Sequence, residues 1–449
     1  MKSVALHNLG CKVNAYEMDF MQQMLQEKGY KIVPFDEAAD IYIVNTCTVT
    51  NIADRKSRQM LHRAKKTNPN AVVVAVGCYV QTGRETLEQD GTVDLAIGNN
   101  RKKDLVEILE AYLESRGMAE SVRSAPVIDT IDIAHAPYEE ITLRQAAGHT
   151  RAYLKIQDGC NQFCSYCVIP YARGRVRSRR EEDILREARG MAQAGYREIV
   201  LTGIHISSYG IDRSGSELAC LLGELSRIEG IERIRLGSLE PGIVTEEFAA
   251  KISAMPKVCP HFHLSLQSGS DTVLRRMNRR YDTAGYYGAV ERLRRYYVNP
   301  AITTDVIVGF PGETEEEFAQ TEDFLRRVGF YEMHIFKYSR RQGTRAAAME
   351  GQLTEAEKAV RSERLIALER QMSRAYREAF LGKTEEILFE ELVEKEGKAY
   401  WVGHSPRYLK TAREAEPGEN LQNRIVSCRL VSLLEEEILL GAQSGPGQA

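Results

Sequence analysis

Cys160-Asn161-Gln162-Phe163-Cys164-Ser165-Tyr166-Cys167 is the stretch on which the reading of this 449-residue chain turns. Three soft thiols, spaced by three residues and then by two, can wrap a compact cubane and bond three of its four irons. A bacterial ferredoxin run would separate successive cysteines by two residues each. A tetrahedral structural zinc is the alternative, but it wants a fourth ligand nearby. The next seven residues hold neither Cys nor His, and His205 lies much further along, where only folding could bring it close. A three-ligand cubane leaves one iron free to chelate a small molecule.

The residues on either side place this triad in a barrel. Apolar strand-like runs recur at 153–156, 198–201, 233–236, 262–266, 304–308 and 333–336. Helical periodicity fills segments such as 182–194 and 315–328. This α/β series predicts a partial (βα)6 barrel, shorter than the eight-fold type. The triad follows the first barrel strand, on the carboxyl-terminal face where barrel active sites lie.

Residues 1–117 form a different pattern. Runs at 4–6, 41–44 and 72–76 alternate with amphipathic stretches at 14–27 and 54–66, which predicts an open parallel α/β sheet. Each run is soon followed by a cysteine: Leu9-Gly10-Cys11, Asn45-Thr46-Cys47 and Val76-Gly77-Cys78. Sites in such sheets form beyond the carboxyl ends of the strands, so the three could converge. The helices that follow would favour their thiolates. Inert packing is the plainer reading of any one of them.

Residues 118–148 lose periodicity and read as a linker, leaving 149–378 as the barrel unit. Thr354 with Glu357 forms a capping box that opens a charged helix to about residue 380, with Gly382 as its stop. Residues 379–443 alternate in short runs between glycines, which predicts a small carboxyl-terminal β-barrel. The tail 444–449 is expected to be disordered.

Composition excludes several classes. At 43% hydrophobic and 27% charged, with formal charge −3, the chain is neither low-complexity nor a polycation. Any nucleic-acid surface must be a local patch. No stretch suits a signal peptide or a bilayer span. Nine cysteines, an odd number, point to free thiols and ligands in a reducing, cytoplasmic setting. Cys220, Cys259 and Cys428 match no motif and read as incidental.

The triad and its continuation, Val168-Ile169-Pro170-Tyr171-Ala172-Arg173-Gly174-Arg175, resemble the radical-SAM superfamily and its methylthiotransferase branch in particular. The resemblance spans about residues 1–441. It implies that Cys160, Cys164 and Cys167 hold a [4Fe-4S] cluster whose open iron chelates S-adenosylmethionine (SAM). Cys11, Cys47 and Cys78 match the ligands of an auxiliary [4Fe-4S] cluster bearing the sulfur to be installed. In the scheme the resemblance implies, one SAM would methylate that sulfur and a second would supply a 5′-deoxyadenosyl radical. No catalytic residue beyond the cluster ligands is implied. Tyr166, Thr202, Gly203, Ser265, Gln267 and Gly309 fall at the family's SAM pocket, although Leu201-Thr202-Gly203 departs from the commoner Gly-Gly-Glu.

Leu9-Gly10-Cys11-Lys12-Val13-Asn14, Asn45-Thr46-Cys47-Thr48-Val49-Thr50 and His404-Ser405-Pro406-Arg407-Tyr408 resemble the branch acting on threonylcarbamoyladenosine in tRNA. The substrate would gain a methylthio group on C2 at position 37, beside the anticodon. Sister branches act on isopentenyladenosine in tRNA or on a ribosomal-protein aspartate. A zinc-stabilised RNA-binding protein is the non-enzymatic alternative. The carboxyl-terminal module resembles a TRAM domain, yet holds more acidic than basic residues. Arg173, Arg175, Arg177, Arg407 and Lys410 are the expected RNA contacts, alongside cation clusters at 55–66 and 275–280. An electron donor such as flavodoxin or ferredoxin, no membrane, and a monomer complete the expectation.

Overall fold

The computed structural model describes residues 2–118, 126–143, 150–213 and 217–443. The tail 444–449 and parts of the expected linker, 119–125 and 144–149, lie outside the described residues.

Strands Ile41–Thr46 and Val72–Gly77 are buried at every position, as continuous apolar runs covered on both faces should be. They lie at the centre of a six-stranded parallel sheet. In spatial order its strands are Lys31–Val33, Ser3–Asn8, Ile41–Thr46, Val72–Gly77, Leu95–Ile97 and Val127–Asp129. The last of these corrects the expectation of a bare linker: Val127–Asp129 completes the sheet edge. Three residues are too few for periodicity to betray a strand.

Helix Lys12–Glu27 forms the seam between this sheet and the next unit. Its Val13, Met18, Met21 and Leu25 are buried, and Met18, Met21 and Leu25 pack on one sheet face. From the same helix, Tyr16 Oη donates to Ile141 O (3.1 Å) and Glu187 Oε2 (3.1 Å). A second tie runs from Arg341, which donates to Asn51 Oδ1 (2.6 Å), Asp54 Oδ2 (2.7 Å) and Thr48 Oγ1 (2.7 Å).

The six expected strands of the middle unit are all present: Arg151–Asp158, Glu198–Gly203, Arg233–Leu236, His261–His263, Ala301–Val308 and Glu332–Lys337. The first three pair in parallel, as do the last three, and bridges at Ile234↔Val258 and Leu239↔Leu264 join the halves into a partial barrel. Two predicted helix starts are as read. Thr314 with Glu317 and Thr354 with Glu357 both form capping boxes, opening Glu315–Val328 and Glu355–Glu378.

The last five strands close a barrel in the order Thr384–Lys395, Lys398–His404, Lys410–Glu414, Ile438–Gln443 and Ile425–Glu435. It is docked on the half-barrel through polar and ring contacts. Arg233 and Arg235, on the third half-barrel strand, donate to the carbonyls of His404 (3.0 Å), Glu386 (2.7 Å), Pro406 (2.9 Å) and Ser405 (3.2 Å). Tyr408 stacks between His404 and His261, with ring centroids 4.4 and 5.1 Å away. No helix among the described residues is long and apolar enough to cross a membrane.

Candidate active site

Gly159 turns the chain out of strand Arg151–Asp158 with φ +72°. A Cβ there would lie 1.8 Å from the carbonyl oxygen of Arg175, so the loop can close only on glycine. Three backbone bonds then shape the triad: Cys160 N–H to Gly174 O, Cys167 N–H to Cys164 O, and Ser165 N–H to Met277 O, each 3.0 Å. Burial pushes the Cys160 thiol up to about 11 and the Cys167 thiol up to about 12.

One cation serves this loop. Arg279 Nη1 donates to Cys164 Sγ at 3.0 Å, Nη2 pairs with Glu240, and Nε donates to Tyr281 Oη at 2.9 Å. His205 Nε2 stands 3.5 Å from the same Glu240. A guanidinium aimed at sulfur suits an ionised thiolate better than a neutral thiol.

The second triad assembles from three strand ends. Cys11 caps helix Lys12–Glu27, Cys47 follows strand Ile41–Thr46, and Cys78 opens helix Cys78–Thr82. Gly10, at φ +106°, allows their close approach: a Cβ there would come within 3.0 Å of Cys47 Cβ and 3.1 Å of its Sγ. Asn14 Nδ2 ties two of these loops together through Leu9 O (2.7 Å) and Thr46 O (3.1 Å). Burial pushes the Cys47 thiol up to about 12, against the lowering influence of the Val49 backbone and Arg173.

Arg173 joins the triads. It ends the helix Ile169–Arg173 that follows Cys167, and its Nε donates to Cys78 Sγ at 3.2 Å. Its other nitrogens reach Glu17 (2.6 and 3.0 Å), Asn14 Oδ1 (2.7 Å) and Asp158 Oδ2 (3.2 Å). Lys102 and Lys155 also bind Glu17, at 2.6 and 2.8 Å. This network holds Glu17 well below the usual carboxylate range: Arg173, Lys102 and Lys155 together overcome the opposing cost of burial. Asn99 Nδ2 adds a second donor to Cys78 Sγ, at 3.5 Å.

Among the described residues, no three His, Cys, Asp or Glu side chains gather tightly enough to hold one metal ion. A cubane asks for something wider, since its three thiolates end on three separate irons. Cysteines grouped on loops, with N–H donors directed at their sulfurs, fit that demand.

The expected SAM-pocket residues sit at the carboxyl ends of strands. Thr202 and Gly203 end strand Glu198–Gly203, and a Cβ on Gly203 would meet Gln157 O at 3.0 Å. Ser265 O accepts from Tyr281 Oη. Gln267, at φ +72°, bridges to Val306. Gly309 N–H donates to Glu313 Oε2 (2.7 Å), which Arg361 also holds (2.6 Å). Tyr166 packs with Val273, Met277, Phe310 and Tyr338.

The Radical SAM superfamily matches residues 154–325, and the family described as Uncharacterized protein family UPF0004 matches residues 3–98. The chain is 41% identical over 434 residues to the threonylcarbamoyladenosine tRNA methylthiotransferase MtaB of Bacillus subtilis, covering 96% of this chain and 94% of that one. It belongs to the threonylcarbamoyladenosine tRNA methylthiotransferase family. The MtaB of Aquifex aeolicus is 42% identical over 85% of this chain and 91% of its own. A tRNA-2-methylthio-N(6)-dimethylallyladenosine synthase of Moorella thermoacetica is 36% identical over 87% of each chain. Among solved structures, the radical SAM methyltransferase TsrM of Kitasatospora setae superposes with TM-score 0.57, covering 77% of this chain and 74% of that one. At 16% identity that likeness concerns the fold alone.

For this methylthiotransferase the expected RNA face needs correction. Arg173 is 1% exposed and committed to the inter-triad network. Arg177 is buried too, donating to Arg173 O at 2.7 Å. Arg407 is spent on Glu385 (2.9 Å) and the carbonyls of Val298 (3.0 Å) and Asn299 (3.2 Å). Arg175 is exposed, 4.4 Å over the Phe163 ring, and Lys410 is half-buried. Charge runs in sequence do not reveal which cations are already paired. Arg279, Glu240 and Glu17 went unrecognised as supports of the triads because no local motif marks them.

Proposed function

We propose that this enzyme installs the methylthio group on C2 of N6-threonylcarbamoyladenosine at position 37 of tRNA. Cys160, Cys164 and Cys167 would hold the SAM-binding [4Fe-4S] cluster, and Cys11, Cys47 and Cys78 the auxiliary one. The observation that carries the reading is that both cysteine loops are built into one buried network through Arg173. When bound, the clusters and SAM supply the radical and the sulfur. The protein orients them: Arg279 and Arg173 direct N–H groups at Cys164 and Cys78, while the ends of three strands present Thr202, Gly203, Ser265, Gln267 and Gly309 as the SAM pocket, with Tyr166 from the triad loop. A first unit that runs on to its sheet edge at Val127–Asp129, followed by units at 149–378 and 379–443, fits this assignment. We further infer a cytoplasmic monomer reduced by flavodoxin or ferredoxin.

Nucleoside mass spectrometry of tRNA from cells with and without the protein tests the target. Loss of 2-methylthio-threonylcarbamoyladenosine alone is expected; unchanged tRNA would overturn the reading. Replacing Cys160, Cys164 and Cys167 by Ala should abolish SAM cleavage and remove half of about eight irons. Replacing Cys11, Cys47 and Cys78 should remove the other half and spare 5′-deoxyadenosine formation. Stoichiometric zinc without iron would favour the non-enzymatic alternative.

A further inference from the structure

The radical chemistry needs an electron from outside the chain, so a reductant must approach the triad of Cys160, Cys164 and Cys167. Arg279 marks a route. While one edge of its guanidinium contacts Cys164, the same residue lines an open cleft of about 810 Å³ on the surface, with Arg275, Arg280, Arg292 and Tyr281.

The cleft carries unspent positive charge. Of its two acids, Glu246 is paired with Arg295 and also takes Tyr296 Oη, while Asp282 keeps its charge and accepts from Gly285 N–H at 2.7 Å, so the arginines remain in excess. Its arginines are not fully used. Arg275 gives only Nε to a carbonyl of its own helix (3.3 Å), and Arg292 gives one nitrogen to Val244 O (3.1 Å). Arg280 is exposed and makes no hydrogen bond or ion pair among the described residues. Several guanidinium N–H groups therefore face solvent together, which favours an acidic partner.

Position separates the two acidic partners the chemistry requires, tRNA and a redox protein. The cleft is built by the loops after Arg233–Leu236 and His261–His263, the third and fourth strands of the half-barrel. The amino-terminal sheet meets the half-barrel elsewhere, through helix Lys12–Glu27 against the first two strands and through Arg341 beyond the sixth. The cleft thus lies across the half-barrel from the auxiliary triad, whereas the target nucleoside must reach the space the two triads share. Its one aromatic ring already faces Arg279, 4.9 Å away, so it offers charge without a free stacking platform.

We propose that this arginine cleft is the docking surface for a small acidic electron-transfer protein of the flavodoxin or ferredoxin class. The proposal rests on the radical-SAM reading of the triad. In the transfer, the partner's reduced cofactor loses one electron and the cluster at Cys160, Cys164 and Cys167 gains it, with no bond made or broken. Small electron-transfer interfaces of this kind are steered by charge and weaken with salt.

The test uses the full-length reconstituted enzyme and purified bacterial flavodoxin. In Arg275→Glu/Arg280→Glu, flavodoxin affinity should fall at least tenfold and its salt dependence should flatten. Flavodoxin-driven 5′-deoxyadenosine formation should fall with it, while dithionite-driven formation and iron content keep wild-type values. Arg227→Glu, at an exposed site elsewhere, should change neither. Equal losses with flavodoxin and dithionite would overturn the proposal, as would unchanged flavodoxin affinity. A selective loss of tRNA affinity would overturn it too and make the cleft an RNA surface. A wild-type enzyme that cleaves no SAM even with dithionite would instead sink the underlying functional reading.

Discussion

Arg173 Nε lies 3.2 Å from Cys78 Sγ, although Arg173 belongs to the helix that follows the other cysteine triad. The contact makes each cluster loop depend on the other. Arg173→Met leaves Glu17 and Asp158 short of a buried partner and should cost about 3–5 kcal/mol of stability, measured by denaturant unfolding. Arg173→Lys keeps a charge but loses the fork that reaches four partners at once. It should recover much of the stability yet lower the reduction potential of the auxiliary cluster, because a donor to sulfur is gone. An EPR-monitored redox titration reads this, with the SAM-site cluster as internal reference. Identical auxiliary potentials in both proteins would count against the contact.

Gly159→Ala should damage the SAM site selectively. The added Cβ meets backbone at 1.8 Å, so the triad loop must shift rather than a side-chain tip. Left-handed backbone adds about 1–2 kcal/mol for any other residue. We expect roughly half the iron to be lost and SAM cleavage to drop at least a hundredfold, with the auxiliary cluster intact by Mössbauer spectroscopy.

Glu317 gives an acid-sensitive clamp. Its carboxylate is held down to about 2, chiefly by the bidentate contact with Arg276 at 2.7 and 2.8 Å and by Thr272 and Thr314. A depressed carboxylate stabilises the fold above its unfolded value near 4.5 and loses that contribution as pH falls toward 2. Wild type should exceed Glu317→Gln by about 1 kcal/mol at neutral pH, since part of the pair is solvent-screened. The gap should narrow steadily below pH 4.5. A gap constant down to pH 3 would show that the ion pair is not its source.

Much of this was readable from the chain. The six half-barrel strands, the capping box at Thr354, the helix at 315–328 and the three glycine- or threonine-led cysteines all follow from local periodicity and turn chemistry. What escaped depends on distance along the chain. Glu17 meets Arg173 across 156 positions and Arg279 meets Cys164 across 115. No window of residues contains both partners, so Arg173 reads as one more cation in a basic run. Val127–Asp129 escaped for the opposite reason, being too short to show a period. The thiol shifts needed the packing itself, since no window of sequence shows how deeply a given sulfur is buried.

The docking of Tyr408 and its neighbours has a consequence for how the molecule can be dissected. Arg151 and His261 open their strands, Arg235 stands two residues into its own, and Tyr408 sits among all three. The carboxyl-terminal module is therefore a stopper seated in the base of the reaction vessel. A chain ending at residue 379 would uncork that base, leaving buried guanidiniums facing water where carbonyls had met them. Such a truncation should aggregate or lose both clusters, rather than persist as an active core that merely binds tRNA less well.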